Sequence, residues 1–393
     1  MRALIIGGGI GGLSAALALQ KVGIEAVVFE KTPEITEVGA GLTLWSNAIL
    51  ASRRLGVESE IIAAGSVIEK SRSVTPSGEL LDQFDFAGLA QKVGAPTVCV
   101  HRAELQRILR NAVVAGDADA VQTGRKCINW EEKDGAVSVL FEDGSCELAD
   151  LLVGADGIHS VVRPMLFGEE RPRYAGYFAW RGIAHGVSHL LSIGEALFII
   201  GRGAQAGCFP CGDGRVYWFL TCNGPPGSLP SRDGNRPEIL ALIEGWQTPL
   251  SLFVEATEGD AILRNDIIDR PPRTAWGKGR TTLLGDAIHA TTPNLGQGAC
   301  QAMEDAVFLA HWLSTADSVQ TGLRDYESSR KERTKFVIEQ SWELGKIFQL
   351  SNPIAVWLRN ALSRSEYANR HSKKLFERLL DIDLPALDRS DLS

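Results

Sequence analysis

The stretch Ala3-Leu4-Ile5-Ile6-Gly7-Gly8-Gly9-Ile10-Gly11-Gly12 decides the fold. Its first four residues form a short, fully apolar run, as expected of a parallel strand buried on both faces. The glycines that follow permit a tight turn and let backbone N–H groups approach a pyrophosphate. Residues 13–22 read as a helix, with Leu13, Ala16, Leu17 and Gln20 at three-to-four spacing and Gly23 as a left-handed end. The start of such a helix carries about half a unit of positive charge, which suits phosphate. A second apolar run, Ala26-Val27-Val28-Phe29, ends in Glu30. That places an acid about 20 residues downstream, where a ribose hydroxyl needs an acceptor. A plain glycine-rich strand–helix turn would account for the glycines but leaves Glu30 unexplained. The order strand, glycine turn, helix, strand, acid therefore reads as a dinucleotide site.

The rest of the chain bounds what can be built around this site. A length of 393 residues gives two or three domains and ample core. With 45% apolar and 22% charged residues, the composition is that of a soluble globular protein. The net charge of -8 argues against nucleic acid as a partner. No apolar run approaches the roughly 18 residues of a membrane helix, so no stable membrane insertion is expected. The first strand runs straight into the glycine turn, so no signal peptide is expected, and a cytoplasmic location follows as an expectation. The seven cysteines are scattered, and their odd number suggests reduced thiols. Cys208-Phe209-Pro210-Cys211 lies within strand-like sequence rather than at a helix start, and no second pair completes a zinc site. No metal is expected.

Two further stretches repeat the logic of the first. Leu151-Leu152-Val153-Gly154-Ala155-Asp156-Gly157 is a buried strand followed by an Asp-Gly turn, then a helix carrying Ser160 and Arg163. Near the far end, the strand 281–284 leads into Gly285-Asp286-Ala287-Ile288-His289. Pro293-Asn294-Leu295-Gly296-Gln297-Gly298-Ala299-Cys300 then opens a long helix with Ala302, Met303, Ala306, Leu309, Ala310 and Leu313 on its apolar side. Between these landmarks lie Val38-Gly39-Ala40-Gly41-Leu42-Thr43, a helix to Leu55 with Ser46 as N-cap, and a hairpin over 66–86 around Pro76-Ser77-Gly78. A helix is opened by Arg102, whose charge opposes the helix dipole and needs an anion or solvent. A meander follows over 119–153. Residues 173–273 are rich in short aromatic, β-prone runs and read as a mostly antiparallel sheet covered by a few helices. Helices are expected at 319–350 and 353–380, followed by a polar tail. The amphipathic start of the latter, Asn352-Pro353-Ile354-Ala355-Val356-Trp357-Leu358, is expected to pack on the nucleotide-binding domain, with loose membrane contact for a lipophilic substrate as the alternative.

Taken together, Gly7-x-Gly9-x-x-Gly12 with Glu30, the Asp156-Gly157 segment, and Gly285-Asp286 with Pro293-x-x-Gly296-x-Gly298 resemble the FAD-dependent single-component aromatic hydroxylases, the class A flavoprotein monooxygenases. The likeness runs from residue 1 to about 380. It is nearest to the salicylate hydroxylase, urate hydroxylase and zeaxanthin epoxidase branch, chiefly through Arg173-Tyr174-Ala175-Gly176-Tyr177 and the stretch 284–309. The resemblance implies an α/β fold: a Rossmann-like FAD-binding domain over 1–72, 97–172 and 274–320. A mostly antiparallel β-sheet substrate domain (73–96 and 173–273) is inserted into it, and C-terminal helices and a tail cover 321–393. It also implies that Gly9, Gly11, Gly12, Glu30, Lys31, Thr43 and Arg102 hold the nucleotide end of FAD. Asp156, Asp286, Pro293, Leu295, Gly296, Gln297, Gly298 and Ala299 would complete the flavin site. His289 matches a family position but reads as a structural histidine. NADH or NADPH would reduce the flavin, and molecular oxygen would form a flavin hydroperoxide that hydroxylates or epoxidises an electron-rich ring or alkene. The single glycine fingerprint agrees with a family that lacks a separate nicotinamide domain.

The substrate wall should come from the aromatic sheet, with Ala179, Arg181, Phe198, Gln205, Phe209, Tyr217, Trp218 and Phe219 as candidates. Tyr217 is the one catalytic candidate, for orienting a phenol or helping to deprotonate it. The arginine and asparagine that urate hydroxylases direct at urate fall on Gln205 and Ala179. The resemblance thus implies a flatter, more apolar aromatic or N-heteroaromatic small molecule, bound by a monomer or homodimer. The alternatives are a flavin halogenase or reductase on the same scaffold, or a non-catalytic FAD-binding protein. The Trp-x-Trp-x-Ile-Pro segment of halogenases does not occur.

Overall fold

The computed structural model describes residues 1–34, 40–227 and 234–387. Val38 and Gly39 of the second glycine-rich stretch lie outside these residues, as does the end of the tail. The opening run forms the strand Arg2–Ile6, the centre of a five-stranded parallel sheet. Its neighbours are Leu151–Gly154 on one side and Glu25–Phe29 on the other, with Thr281–Leu283 and Val121–Gln122 outside them. All three glycine landmarks thus leave adjacent strands of one sheet. The ends of such strands form a ready cleft for a ligand.

The first helix, Ile10–Lys21, begins three residues before the expected Leu13, because Gly9 already serves as its N-cap. Gly23 ends it with φ +79°, and its N–H donates to the Gln20 carbonyl. The helix packs closely on Gly298–Thr315, an 18-residue helix whose buried face carries Met303, Ala306, Leu309 and Ala310. Ser46 is not an N-cap: Trp45 takes that position and Ser46 is the first helical residue. Ser160 precedes its helix, Val162–Phe167, and its Oγ accepts from the Arg163 N–H at 3.0 Å.

The second large sheet has seven strands, in the order Leu263–Asp269, Arg173–Ala184, Val216–Asn223, Ala204–Pro210, Glu195–Ile200, Lys70–Val74 and Leu80–Asp85. Every pairing is antiparallel except that of Glu195–Ile200 with Lys70–Val74. Alternation sorts its residues onto two faces. Phe178, Trp180, Cys208, Val216, Trp218 and Leu220 form one core, covered by Ile239 and Phe253 of the helices Asn235–Leu242 and Leu250–Glu255. The opposite face looks toward the parallel-sheet half.

Two short antiparallel sheets complete the strands: Cys127–Lys133, Ala136–Phe141 and Cys146–Ala149 in one, and Gly41–Leu44, Thr97–His101 and Ser66–Ile68 in the other. The helix Val319–Phe348 lies along Gly298–Thr315. The single helix expected over 353–380 is two helices, Pro353–Ser363 and Glu366–Leu380. Ser365 breaks them, its Oγ accepting from the Ala368 N–H at 3.2 Å. Pro353–Ser363 does not bury its apolar side as expected. Its inward contact is Arg359, which donates to the carbonyls of Ile200, Gly201 and Phe348, while Ile354, Trp357 and Leu362 face outward. No helix among the described residues is long and apolar enough to cross a membrane. All seven cysteines are free thiols.

Candidate active site

The opening turn is shaped by close backbone approaches. A Cβ on Gly12 would lie 1.9 Å from the Gly7 carbonyl oxygen, so only glycine fits there. Gly7, at φ +111°, leaves 2.5 Å between such a Cβ and the Ala155 carbonyl oxygen. It therefore locks the turn against the segment carrying Asp156. Gly9 is different: a Cβ there would meet nothing within 4 Å. Space is open above Gly9, at the start of a helix that no side chain caps. Open space before an uncapped helix start can take an anion. Glu30 stands beside it, its Oε2 accepting from the Gly8 N–H at 2.8 Å and its Oε1 from the Thr32 N–H at 3.0 Å. Gln106 adds a bond to the Gly8 carbonyl oxygen at 2.6 Å. Lys31 follows Glu30 and is exposed.

The far-end landmark closes on the same place. A Cβ on Gly11 would come within 2.9 Å of Leu284 and 3.3 Å of Ala302, and one on Gly298 would lie 3.7 Å from Asp286 Oδ1. The Gly298–Thr315 helix is also uncapped by any side chain, so a second helix N-terminus opens beside Asp286. Asp286 is exposed to solvent, with protein atoms crowding its carboxyl. Desolvation raises its carboxyl pKa, opposed by the nearby charges of His289 and Arg102. Arg102 is exposed at the start of its own helix and acts on Asp286 through its charge, without a direct ion pair among the described residues. Asp156 is likewise raised by desolvation, although the Val161 N–H donates to its Oδ2 at 2.6 Å. Within the loop, Pro293 is exposed, Leu295 and Gln297 are buried, and Gly296, Gly298 and Ala299 are half-buried. Gly296 takes φ +62°, where a Cβ would strike Trp45 Nε1 at 2.8 Å. Thr43 sits on Gly41–Leu44, paired with Cys99.

Cross-strand register gathers the substrate candidates on one face of the seven-stranded sheet. Ala179 and Gln205 both lie opposite Thr221. Arg181 and Gly207 lie opposite Phe219, and Phe209 lies opposite Tyr217. Phe198 joins them, its ring 5.3 Å from that of Phe209. Trp218 does not: it points into the opposite core and donates to Thr257 Oγ1 at 2.8 Å. Alternation along one strand is the signal that separates it from Tyr217. This face meets the glycine loop directly. Asn294 Nδ2 donates to the Tyr177 hydroxyl at 2.7 Å, and the Tyr217 ring packs where a Cβ on Gly41 would lie 2.5 Å away. Burial pushes the Tyr217 phenol up to about 12, against the lowering effect of Arg181. The phenol is therefore neutral at ordinary pH.

A buried charge network supports the loop from behind, and sequence reasoning missed it. Glu304 and Asp305 interrupt the apolar side of Gly298–Thr315, and both are fully buried. Arg330 pairs with both at 2.7 Å, and Arg333 pairs with Glu304 at 2.7 Å. Asp305 Oδ2 accepts from the Gly285 N–H at 3.1 Å and pairs with His289 Nε2. Desolvation works to raise both carboxyls, but the charges facing them prevail and both are lowered. Asn47 and Gln301 extend the network, each bonding the Gln297 side chain. Adjacent acids amid Ala302, Met303 and Ala306 were the available signal: charges at buried helical positions require partners. His289 is structural, held between Asp305 and Trp276.

One parallel-sheet nucleotide cradle with two uncapped helix starts, facing an aromatic antiparallel sheet, defines the class of flavoprotein monooxygenases. The pattern of the family described as FAD binding domain matches residues 1–341. Aurachin C monooxygenase/isomerase of Stigmatella aurantiaca is 40% identical over 93% of this chain and 94% of its own. An FAD-dependent urate hydroxylase of Klebsiella pneumoniae subsp. pneumoniae is 36% identical over 86% of this chain and 88% of its own. The crystal structure of Klebsiella pneumoniae HpxO complexed with FAD and uric acid superposes with a TM-score of 0.90 at 32% identity, covering 97% of this chain and 96% of that one. The chain belongs to the FAD binding domain family and is an FAD-dependent monooxygenase.

Proposed function

We propose that the protein uses NADH or NADPH and dioxygen to hydroxylate or epoxidise a flat, largely apolar aromatic or N-heteroaromatic small molecule. The observation that carries this reading is the single face holding Ala179, Arg181, Gln205, Phe209, Tyr217 and Phe219, set against the loop 293–299. Among these six the polar groups are one guanidinium, one amide and one phenol, and Thr221 and Tyr177 add two hydroxyls to the same face. Gln205 is buried, and its backbone carbonyl oxygen accepts from Thr221 Oγ1 at 3.1 Å. An uncharged group there does little for an anionic purine, so urate is disfavoured as substrate.

The open space above Gly9 and the two uncapped helix starts fit FAD. In this reading the N–H groups around Gly9, Gly11 and Gly12 hold the pyrophosphate, and Glu30 the adenosine ribose. Arg102 and Asp286 reach the ribityl region, and the peptides 295–299 lie beside the flavin ring. FAD supplies the redox chemistry: two electrons from NAD(P)H reduce dioxygen so that one oxygen atom enters the substrate and the other leaves as water. The protein's own part is electrostatic and steric. The helix dipole beginning at Gly298 favours negative charge at its N-terminus. Phe209 and Phe219 exclude water, and the neutral Tyr217 hydroxyl orients a substrate oxygen or nitrogen.

The test is a panel of aromatic and N-heterocyclic compounds scored for stimulated NAD(P)H oxidation, with product mass measured under isotopically labelled dioxygen. A compound that stimulates turnover and gains one labelled oxygen supports the reading. An FAD-loaded protein that no compound stimulates points instead to a non-catalytic flavin binder. Stimulated oxidation without label in the product points to a reductase.

A further inference from the structure

We infer that the helix Pro353–Ser363, with the adjoining start of Glu366–Leu380, is a docking surface for an anionic lipid bilayer. Ile354, Trp357, Leu358 and Leu362 recur at helical spacing and are 76, 69, 50 and 54% exposed. Four large apolar side chains in one outward stripe are not the scattered singles of an ordinary surface. The helix cannot roll to hide them. Arg359, on the other side, is buried and donates to the Ile200, Gly201 and Phe348 carbonyls, and Asn352 Oδ1 caps the first turn from the Ile354 and Ala355 N–H groups.

Charge selects the occupant. Residues 353–380 hold six Lys or Arg against two Glu, within a chain of net charge -8. Both acids are already paired, Glu366 with Arg370 and Glu377 with Lys92. Arg364 pairs with Glu79 at 2.9 Å, which leaves Lys373 and Lys374 of the adjoining helix as exposed cations, and Tyr367 is 77% exposed. A stripe of Trp, Leu and Ile followed in the chain by a helix with exposed lysines is the pattern of a segment that lies in the plane of an anionic membrane surface. A two-fold contact between copies would instead set these cations against one another. The surface is also tied to the substrate face. The Gly203 N–H donates to the Leu350 carbonyl at 2.8 Å. Gln349 Nε2 donates to Thr221 Oγ1 at 2.6 Å, and Thr221 bonds the Gln205 carbonyl. Docking therefore positions the substrate sheet at the bilayer. It is peripheral, since no described helix can span.

The full FAD-loaded chain is floated with phosphatidylcholine vesicles containing phosphatidylglycerol and with phosphatidylcholine alone. Binding is expected to the anionic vesicles, weakened by salt. The double variant Ile354→Glu/Trp357→Glu should lose about tenfold or more in vesicle affinity. Lys373→Gln and Lys374→Gln should each lose about fivefold. Flavin content should not change, because the four positions are exposed. Vesicle binding is read without turnover, so the outcome is independent of the substrate screen. Absence of binding to anionic vesicles, or equal binding by wild type and the double variant, overturns the proposal. So does a wild-type dimer in light scattering that Ile354→Glu dissociates, since the stripe would then be a subunit interface.

Discussion

Asp286→Ala should move two measurements in opposite directions. Asp286 accepts no hydrogen bond from the described residues, and desolvation raises its pKa. Its ionised form is therefore a burden on the cofactor-free protein. A group whose folded pKa is raised above its unfolded value binds more protons in the folded state. Its contribution to stability thus falls as pH rises from the ordinary carboxylate value through the raised one. Removing it should raise the stability of the cofactor-free protein at neutral pH and remove that pH slope. The same change should cost FAD binding about 1.5–3 kcal/mol, the loss of a hydrogen bond to a charged group. That is roughly a ten- to 150-fold weaker affinity. Asp286→Asn, which keeps a neutral acceptor, should fall between wild type and Ala. The assays are urea unfolding of the cofactor-free proteins at several pH values and fluorescence titration with FAD. Unchanged FAD affinity, or a cofactor-free Ala variant less stable than wild type at neutral pH, would refute the reasoning.

Gly9→Ala and Gly12→Ala should separate ligand space from backbone space. The first leaves the cofactor-free protein unfolding as wild type and weakens FAD, because its Cβ enters open space; the second destabilises the cofactor-free chain itself, because its Cβ would overlap the Gly7 carbonyl oxygen. Thermal melts with and without FAD tell them apart. Asp305→Asn should cost about 3–5 kcal/mol in urea unfolding, as expected for breaking a buried ion pair, since Arg330 Nε and the Gly285 N–H lose a charged acceptor; a loss under about 1 kcal/mol, the range of an exposed pair, counts against the network. The lowered pKa values of Glu304 and Asp305 give the opposite pH sign to Asp286: their stabilisation is complete above the unfolded carboxylate value and is lost as pH falls through the folded one. Tyr217→Phe should lower kcat/KM by no more than about tenfold, the worth of one neutral hydrogen bond. It should leave the pH–rate profile between 6 and 9 unchanged, because the Tyr217 phenol titrates at about 12. Loss of an ionisation in that range would return Tyr217 to the role of base.

The sequence alone determined the nucleotide-binding half, because its signals are local. The run Ala3-Leu4-Ile5-Ile6, the glycine spacing and Glu30 each act within a few residues of one turn. The antiparallel sheet was legible from its aromatic runs, but which side of each strand meets the cleft was not. Register and tertiary packing placed Tyr217 toward the loop and Trp218 into the opposite core. Long-range pairing also decided the network of Glu304, Asp305, Arg330 and Arg333, whose partners lie on separate helices. The side on which Pro353–Ser363 is anchored was settled the same way. Its amphipathic pattern told that one side is apolar. The buried Arg359 decided that the apolar side faces out, because a guanidinium bonded to three backbone carbonyls fixes the helix about its axis.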